Sequence, residues 1–127
     1  MAKVTGIGGV FFRSENPDVL TLWYHTHLGI NAGQRPWAQE AGPTVFAPFK
    51  ADSDYLPAFQ QTMLNLRVDD LAGLIASLTA AGIRVETRPE WDGEYGKFAR
   101  ISDPEGKAIE LWQPPGRRGD QGATAQR

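Results

Sequence analysis

The side chain whose setting most suggests chemistry is Glu110, which shares a strand face with Ala108 and Trp112 and is the one charged residue of the run Ala108 to Trp112. A carboxylate in such a run is costly unless it is paired or used. Among aromatic neighbours it can act as a general base, whereas beside a guanidinium it holds its charge and gives up that role. Alternation with period two assigns its neighbours. Leu64, Leu66 and Val68 share one strand face, leaving Met63, Asn65 and Arg67 on the other; Ile109 and Leu111 oppose Ala108, Glu110 and Trp112; Ala99 and Ile101 oppose Phe98 and Arg100. By the same rule Ile7, Gly9, Phe11 and Arg13 lie on the inner face of a first strand. The inner surface then gathers Phe11, Phe98 and Trp112 around Asn65, Arg67, Arg100 and Glu110, aromatic walls with a few convergent polar groups, as a small-molecule pocket requires. Trp37, Trp91 and Tyr95 fall in turns or short strands that can rim it. The competing reading pairs Glu110 with Arg67 or Arg100 across adjacent strands and needs no ligand.

Other chemistries have few residues to draw on. The chain has no cysteine, so thiolate nucleophiles, disulfides and cysteine zinc sites are excluded. Its two histidines, His25 and His27, sit two apart on a helical pattern and point about 200° from one another, so they cannot share an ion. His27 fits a half-buried position at a helix C-terminus and His25 a solvated one. Thirteen basic against fifteen acidic residues, with no basic stripe, lack the footprint of a nucleic-acid binder. No apolar stretch approaches the ~20 residues of a membrane span. No signal-peptide core is visible, and the default expectation is a cytoplasmic protein. The run Gly6-Ile7-Gly8-Gly9 lies inside a strand instead of opening a helix, so it reads as close backbone approach and not as a nucleotide loop.

The elements that position these residues repeat. Gly6 to Arg13 reads as a strand, and Asn16-Pro17 is a helix start. Val19, Leu20, Trp23, Tyr24, His27 and Leu28 form a helical stripe that Gly29 ends. The stretch 30–42 allows only two short strands, and Thr44 to Phe49 reads as a strand whose Pro48 favours an edge or a bulge. After a polar turn, Ala51 to Pro57, the order restarts. Thr62 to Val68 is a strand, Asp69 or Asp70 caps a helix carrying Leu71, Leu74, Ile75 and Leu78, and Gly82 stops it. Strands follow at Ile83 to Arg88, Lys97 to Ser102 and Lys107 to Gln113, the last two joined by the turn Asp103-Pro104-Glu105-Gly106. The expected fold class is α+β: two βαβββ modules, about 4–50 and 61–114, within one domain of residues 1–115, forming a curved, cup-like mixed sheet with a helix behind each module. The remainder, 116–127, is poor in apolar residues and is expected to be a disordered tail.

His27-Leu28-Gly29-Ile30, Leu66 to Leu71, Ala81-Gly82-Ile83 and above all Asp103-Pro104-Glu105-Gly106-Lys107-Ala108-Ile109-Glu110-Leu111-Trp112 resemble the glyoxalase/bleomycin-resistance/dioxygenase, or vicinal oxygen chelate, superfamily. The resemblance covers about residues 4 to 114 and implies a cup around a small-molecule site, often in a homodimer. It also implies metal-ligand positions at Gly9 or Gly8, near Ala47 or Pro48, at Met63 and at Glu110. Only the last carries a donor suited to a divalent cation. The expectation is therefore a small-molecule-binding protein with no metal and no other cofactor, with Arg67 and Arg100 meeting an anionic group. The alternative is a lyase, isomerase or dioxygenase in which Glu110 is the catalytic base or a metal ligand.

Overall fold

The computed structural model describes residues 2–31 and 36–116. The tail expected to be disordered lies, but for Gly116, outside the described residues, as do four positions of the weakly patterned stretch after the first helix. The protein is a small mixed α/β structure. Two α-helices, α1 (Pro17–Leu28) and α2 (Leu71–Ala80), accompany a three-stranded open sheet of β1 (Leu64–Arg67), β2 (Lys97–Ser102) and β3 (Ala108–Gln113).

Both helices begin and end where local chemistry directs. The Asn16 side chain accepts from the Val19 N–H at 3.3 Å, with Pro17 in the first turn, and Gly29 closes α1 at φ 69°. Asp70 accepts from the Gly73 N–H at 3.0 Å. At the other end of α2 the Ile83 N–H reaches Leu78 O and the Gly82 N–H reaches Thr79 O, both at 3.0 Å, so that Gly82 at φ 82° satisfies carbonyls the helix leaves open.

β3 is central, parallel to β1 and antiparallel to β2. The register sets Asn65 beside Glu110, Arg67 beside Trp112, Arg100 beside Glu110 and Phe98 beside Trp112. One face is buried: Ala99, Ile101, Ile109 and Leu111 join Leu71 and Leu78 of α2 and Leu20 and Tyr24 of α1 in a single core. Burying a side chain such as Leu78, Ile101 or Leu111 contributes about 1.5–3 kcal/mol. The other face carries the polar and aromatic set.

Gln60 extends the sheet with a side chain. Its Nε2 donates to Ala108 O and its Oε1 accepts from Ala108 N–H, both at 2.9 Å, imitating the backbone partner that β3 otherwise lacks beyond Leu64.

The first half departs from the expected pattern. Residues 2–13 and 36–50 run without strand pairing, and the expected strand at Ile83 to Arg88 is reduced to one bridge, Glu86 to Arg100. A strand needs a ladder partner, and in the single chain the outer edge of β1 has none among the described residues. Tandem glycines in one segment and Pro48 in the other weaken any pairing further.

Candidate functional site

The face of the sheet away from the helices is organised around Glu110. Its Oε2 accepts a hydrogen bond from the Tyr55 hydroxyl, and its Oε1 accepts from Asn65 Nδ2 at 2.6 Å. Burial pushes the Tyr55 phenol up from its ordinary value, and the bond to Glu110 adds to the rise. Neither arginine pairs with the carboxylate. Arg67 donates from Nη1 to Pro43 O at 2.7 Å and from Nη2 to Glu40 O at 2.9 Å, which clamps the first half onto β1. A Cβ at Gly42 would come within 2.8 Å of Arg67 Nη1, so this position has to stay small for the clamp to close.

Arg100 donates from Nη2 to Tyr55 O at 2.6 Å, while its guanidinium carbon lies 4.6 Å from the Tyr55 ring centroid and 5.8 Å from that of Trp91. Its Nε is buried and has no hydrogen-bond partner among the described residues. Among those residues the ion pair formed is Arg88 to Glu86 at 2.7 Å, so neither Arg67 nor Arg100 forms a salt bridge with a carboxylate.

Phe98 and Trp112 stack with planes 8° apart and centroids at 6.2 Å. The Trp112 Nε1–H donates to Tyr95 O at 2.7 Å, fixing the ring. Gly96 allows the chain to pass there: at φ 120° its backbone runs so close to Gln113 O that a Cβ would sit 2.2 Å away.

The structure thus brings together Asn65, Arg67, Phe98, Arg100, Glu110, Trp112 and, through Arg100, Trp91. Tyr95 contributes its carbonyl, its side chain standing outward at 71% exposure. Trp37 is 44% exposed, and Phe11, at 96%, walls nothing within the single chain. Sequence reasoning missed Tyr55. It lies in the polar turn Ala51 to Pro57, where an aromatic residue following Asp52, Ser53 and Asp54 is the available signal.

The donor set does not fit a divalent cation. Gly9, Ala47 and Met63 offer no side-chain oxygen or imidazole, and both oxygens of Glu110 accept hydrogen bonds from neighbours. Among the described residues no three His, Asp or Glu side chains converge.

Two depressions among the described residues lie away from Glu110 and Asn65. A pocket of about 40 Å³ lies under the N-terminal segment, between Val10, Phe12 and Tyr24. An open cleft of about 420 Å³ lies along β2, where Trp23, Arg84, Glu86 and Arg100 line it. The face bearing Glu110 is partly covered in the single chain: Glu110, Arg100 and Phe98 are half-buried and Trp112 is buried.

The motif that carried the resemblance is occupied with joining the halves. Asp103 accepts from the Tyr24 hydroxyl at 3.0 Å and from the N–H groups of Glu105 and Lys107. Glu105 accepts from the Ser14 hydroxyl at 2.7 Å and from the backbone of Glu15 and Asn16, which holds its carboxyl below the usual range.

No family model and no curated protein sequence matches the chain. Among solved structures it is similar to TnmS3, an antibiotic binding protein from Streptomyces sp. CB03234, with a TM-score of 0.59 and 23% identity over 90% of this chain and 99% of that one. At that identity the likeness establishes a shared fold over nearly the whole of both chains.

Proposed function

We propose that the protein binds a small, largely aromatic molecule with an anionic or hydrogen-bonding group on the sheet face around Glu110, without a metal, as a member of the glyoxalase/bleomycin-resistance superfamily. The observation that carries this reading is the pair of arginines on that face: neither meets a carboxylate, and the buried Nε of Arg100 lacks an acceptor. A buried donor left unmade costs roughly 1–3 kcal/mol, which a ligand acceptor would offset once the Tyr55 ring that covers the Arg100 guanidinium moves aside. The stacked Phe98 and Trp112 rings supply a planar wall. The fold shared with an antibiotic binding protein agrees with binding as the activity. An enzymatic role would ask Glu110 to move a proton while both its oxygens hold donors, so binding accounts for more of the geometry.

The reading extends to a homodimer. Phe11, Phe46 and Val45 are 96%, 87% and 69% exposed along segments with strand-like sequence and no strand partner. Apolar exposure of this kind marks an association surface. A second copy pairing with these segments would bury them and enclose the face around Glu110 as a cup.

A ligand that binds only the folded state raises its stability. Saturating 2-naphthoate is expected to raise the melting temperature of the wild-type protein and to have little effect on Arg100→Met. An equal rise in both proteins, or none in either, would count against an anion site at Arg100.

A further inference from the structure

We propose that Tyr55 is a built-in occupant of the subsite at Glu110, and that the natural ligand displaces it with an aromatic hydroxyl of its own. The inference rests on the sheet face being a small-molecule site and specifies which chemical class that site takes: phenols.

Tyr55 shows how this surface holds a phenol. The hydroxyl donates to Glu110 Oε2 on β3, the ring face lies 4.6 Å from the Arg100 guanidinium carbon on β2, and the ring edge meets Phe49 at a centroid distance of 5.7 Å and 76°. Asn65, donating to Glu110 Oε1, fixes the direction of the carboxylate from β1. Three separate segments thus meet one phenol group, and Asn65 on a fourth orients the carboxylate that receives it. A carboxylate that is already oriented, a cation over the ring and an aromatic edge are the complements of a hydroxyl and a π-face.

The residue that fills this subsite is not built into the sheet. Tyr55 is half-buried and belongs to the irregular connection between the two halves. That connection is held by short-range bonds, Ser53 N–H to Lys50 O and Tyr55 N–H to Ser53 Oγ, and by Arg100 Nη2 to Tyr55 O. Moving Tyr55 outward breaks the contacts to Glu110 and Arg100 and leaves the sheet register intact. An incoming phenol restores the hydroxyl bond and the cation–π contact, so the exchange is nearly balanced. Its direction is then set by what the ligand adds, including an acceptor for the Arg100 Nη2 that Tyr55 O vacates. Within this subsite a compound without a hydroxyl would leave Glu110 without a donor at Oε2 and is disfavoured, whereas an aromatic anion can still meet the arginines beside it.

The test uses p-cresol, which is the Tyr side chain as a free molecule, with toluene as its counterpart lacking the hydroxyl and 2-naphthoate as a probe of the wider face. Affinities are measured by tryptophan fluorescence and calorimetry for the full-length wild-type protein, Tyr55→Phe, Tyr55→Ala and Tyr55→Ala/Glu110→Gln, with folding checked by circular dichroism. Tyr55→Ala is expected to bind p-cresol at least tenfold tighter than wild type. Tyr55→Phe, which keeps the ring and its packing, should fall between them. The preference of Tyr55→Ala for p-cresol over toluene should disappear in the double variant. If p-cresol binds Tyr55→Phe and Tyr55→Ala no better than wild type while 2-naphthoate binds wild type, Tyr55 is a fixed wall and this inference is overturned with the site reading intact. Absence of binding by every probe to all four proteins overturns both.

Discussion

The hydroxyl of Tyr24 donates to the carboxylate of Asp103 at 3.0 Å, a buried bond between residues 79 positions apart that fastens α1 to the turn joining β2 and β3. Asp103 also accepts from two backbone N–H groups of that turn, so Tyr24→Phe removes one of three donors. The expected loss is about 1–2 kcal/mol, read from urea unfolding midpoints. Desolvation, reinforced by the Asp103 charge, raises the Tyr24 phenol from its ordinary 10.0. The folded state therefore favours the protonated phenol, and its contribution is complete below pH 10 and lost as pH climbs above it. Wild type should lose stability faster than Tyr24→Phe above pH 10.

Glu105 performs the matching task at the start of α1. Its carboxyl is held below the ordinary 4.5, first by the Ser14 hydroxyl and then by backbone N–H groups of Glu15 and Asn16. A depressed carboxyl contributes stability that is present above its unfolded value and disappears as pH falls through the folded one. The difference in melting temperature between wild type and Glu105→Gln should be constant near neutral pH, begin to shrink around pH 4.5 and vanish below the folded value. A difference that persists unchanged into strong acid would show that the charge of Glu105 is not what matters.

The dimer reading turns on the first half. Phe46 is 87% exposed in a segment without a strand partner. If a second copy covers it, Phe46→Asp places a charge in that contact and should shift the protein from dimer to monomer in light scattering coupled to size-exclusion chromatography. Circular dichroism should show α1 and α2 unchanged. A wild-type protein that is monomeric at high micromolar concentration would contradict the proposed pairing.

Elements whose signals are local could be read from the sequence. Asn16-Pro17 and Gly29 bound α1, Asp70 and Gly82 bound α2, and the alternation of Leu66 with Asn65 and Arg67, or of Leu111 with Glu110 and Trp112, assigned faces that the core bears out. The strands expected at Gly6 to Arg13 and Thr44 to Phe49 do not pair among the described residues, because alternation tells which side of a segment is apolar and not whether a ladder partner lies beside it. The choice offered for Glu110, ligand-facing or paired with an arginine, omitted its actual partners. Asn65 is its lateral neighbour in the parallel register, and Tyr55 arrives from a connection with no periodicity to reveal where its ring points. The Asp103 to Gly106 turn was recognised, but its service as the anchor of α1 depends on Ser14 and Tyr24, some 80 to 90 residues away.

Chemical-shift mapping of the uniformly labelled protein with 2-naphthoate tests the central claim most directly, because it reports where a ligand lies and not only whether one binds. Saturable shifts are expected at the backbone of Asn65, Arg67, Arg100 and Glu110, at the side-chain amide of Asn65, and at the Trp112 Nε1–H, which the bond to Tyr95 O holds in a distinct position. The amides of α2 should stay still. Shifts confined to the helices or to the cleft beyond β2, or no saturable shift anywhere, would contradict a binding site on the face around Glu110.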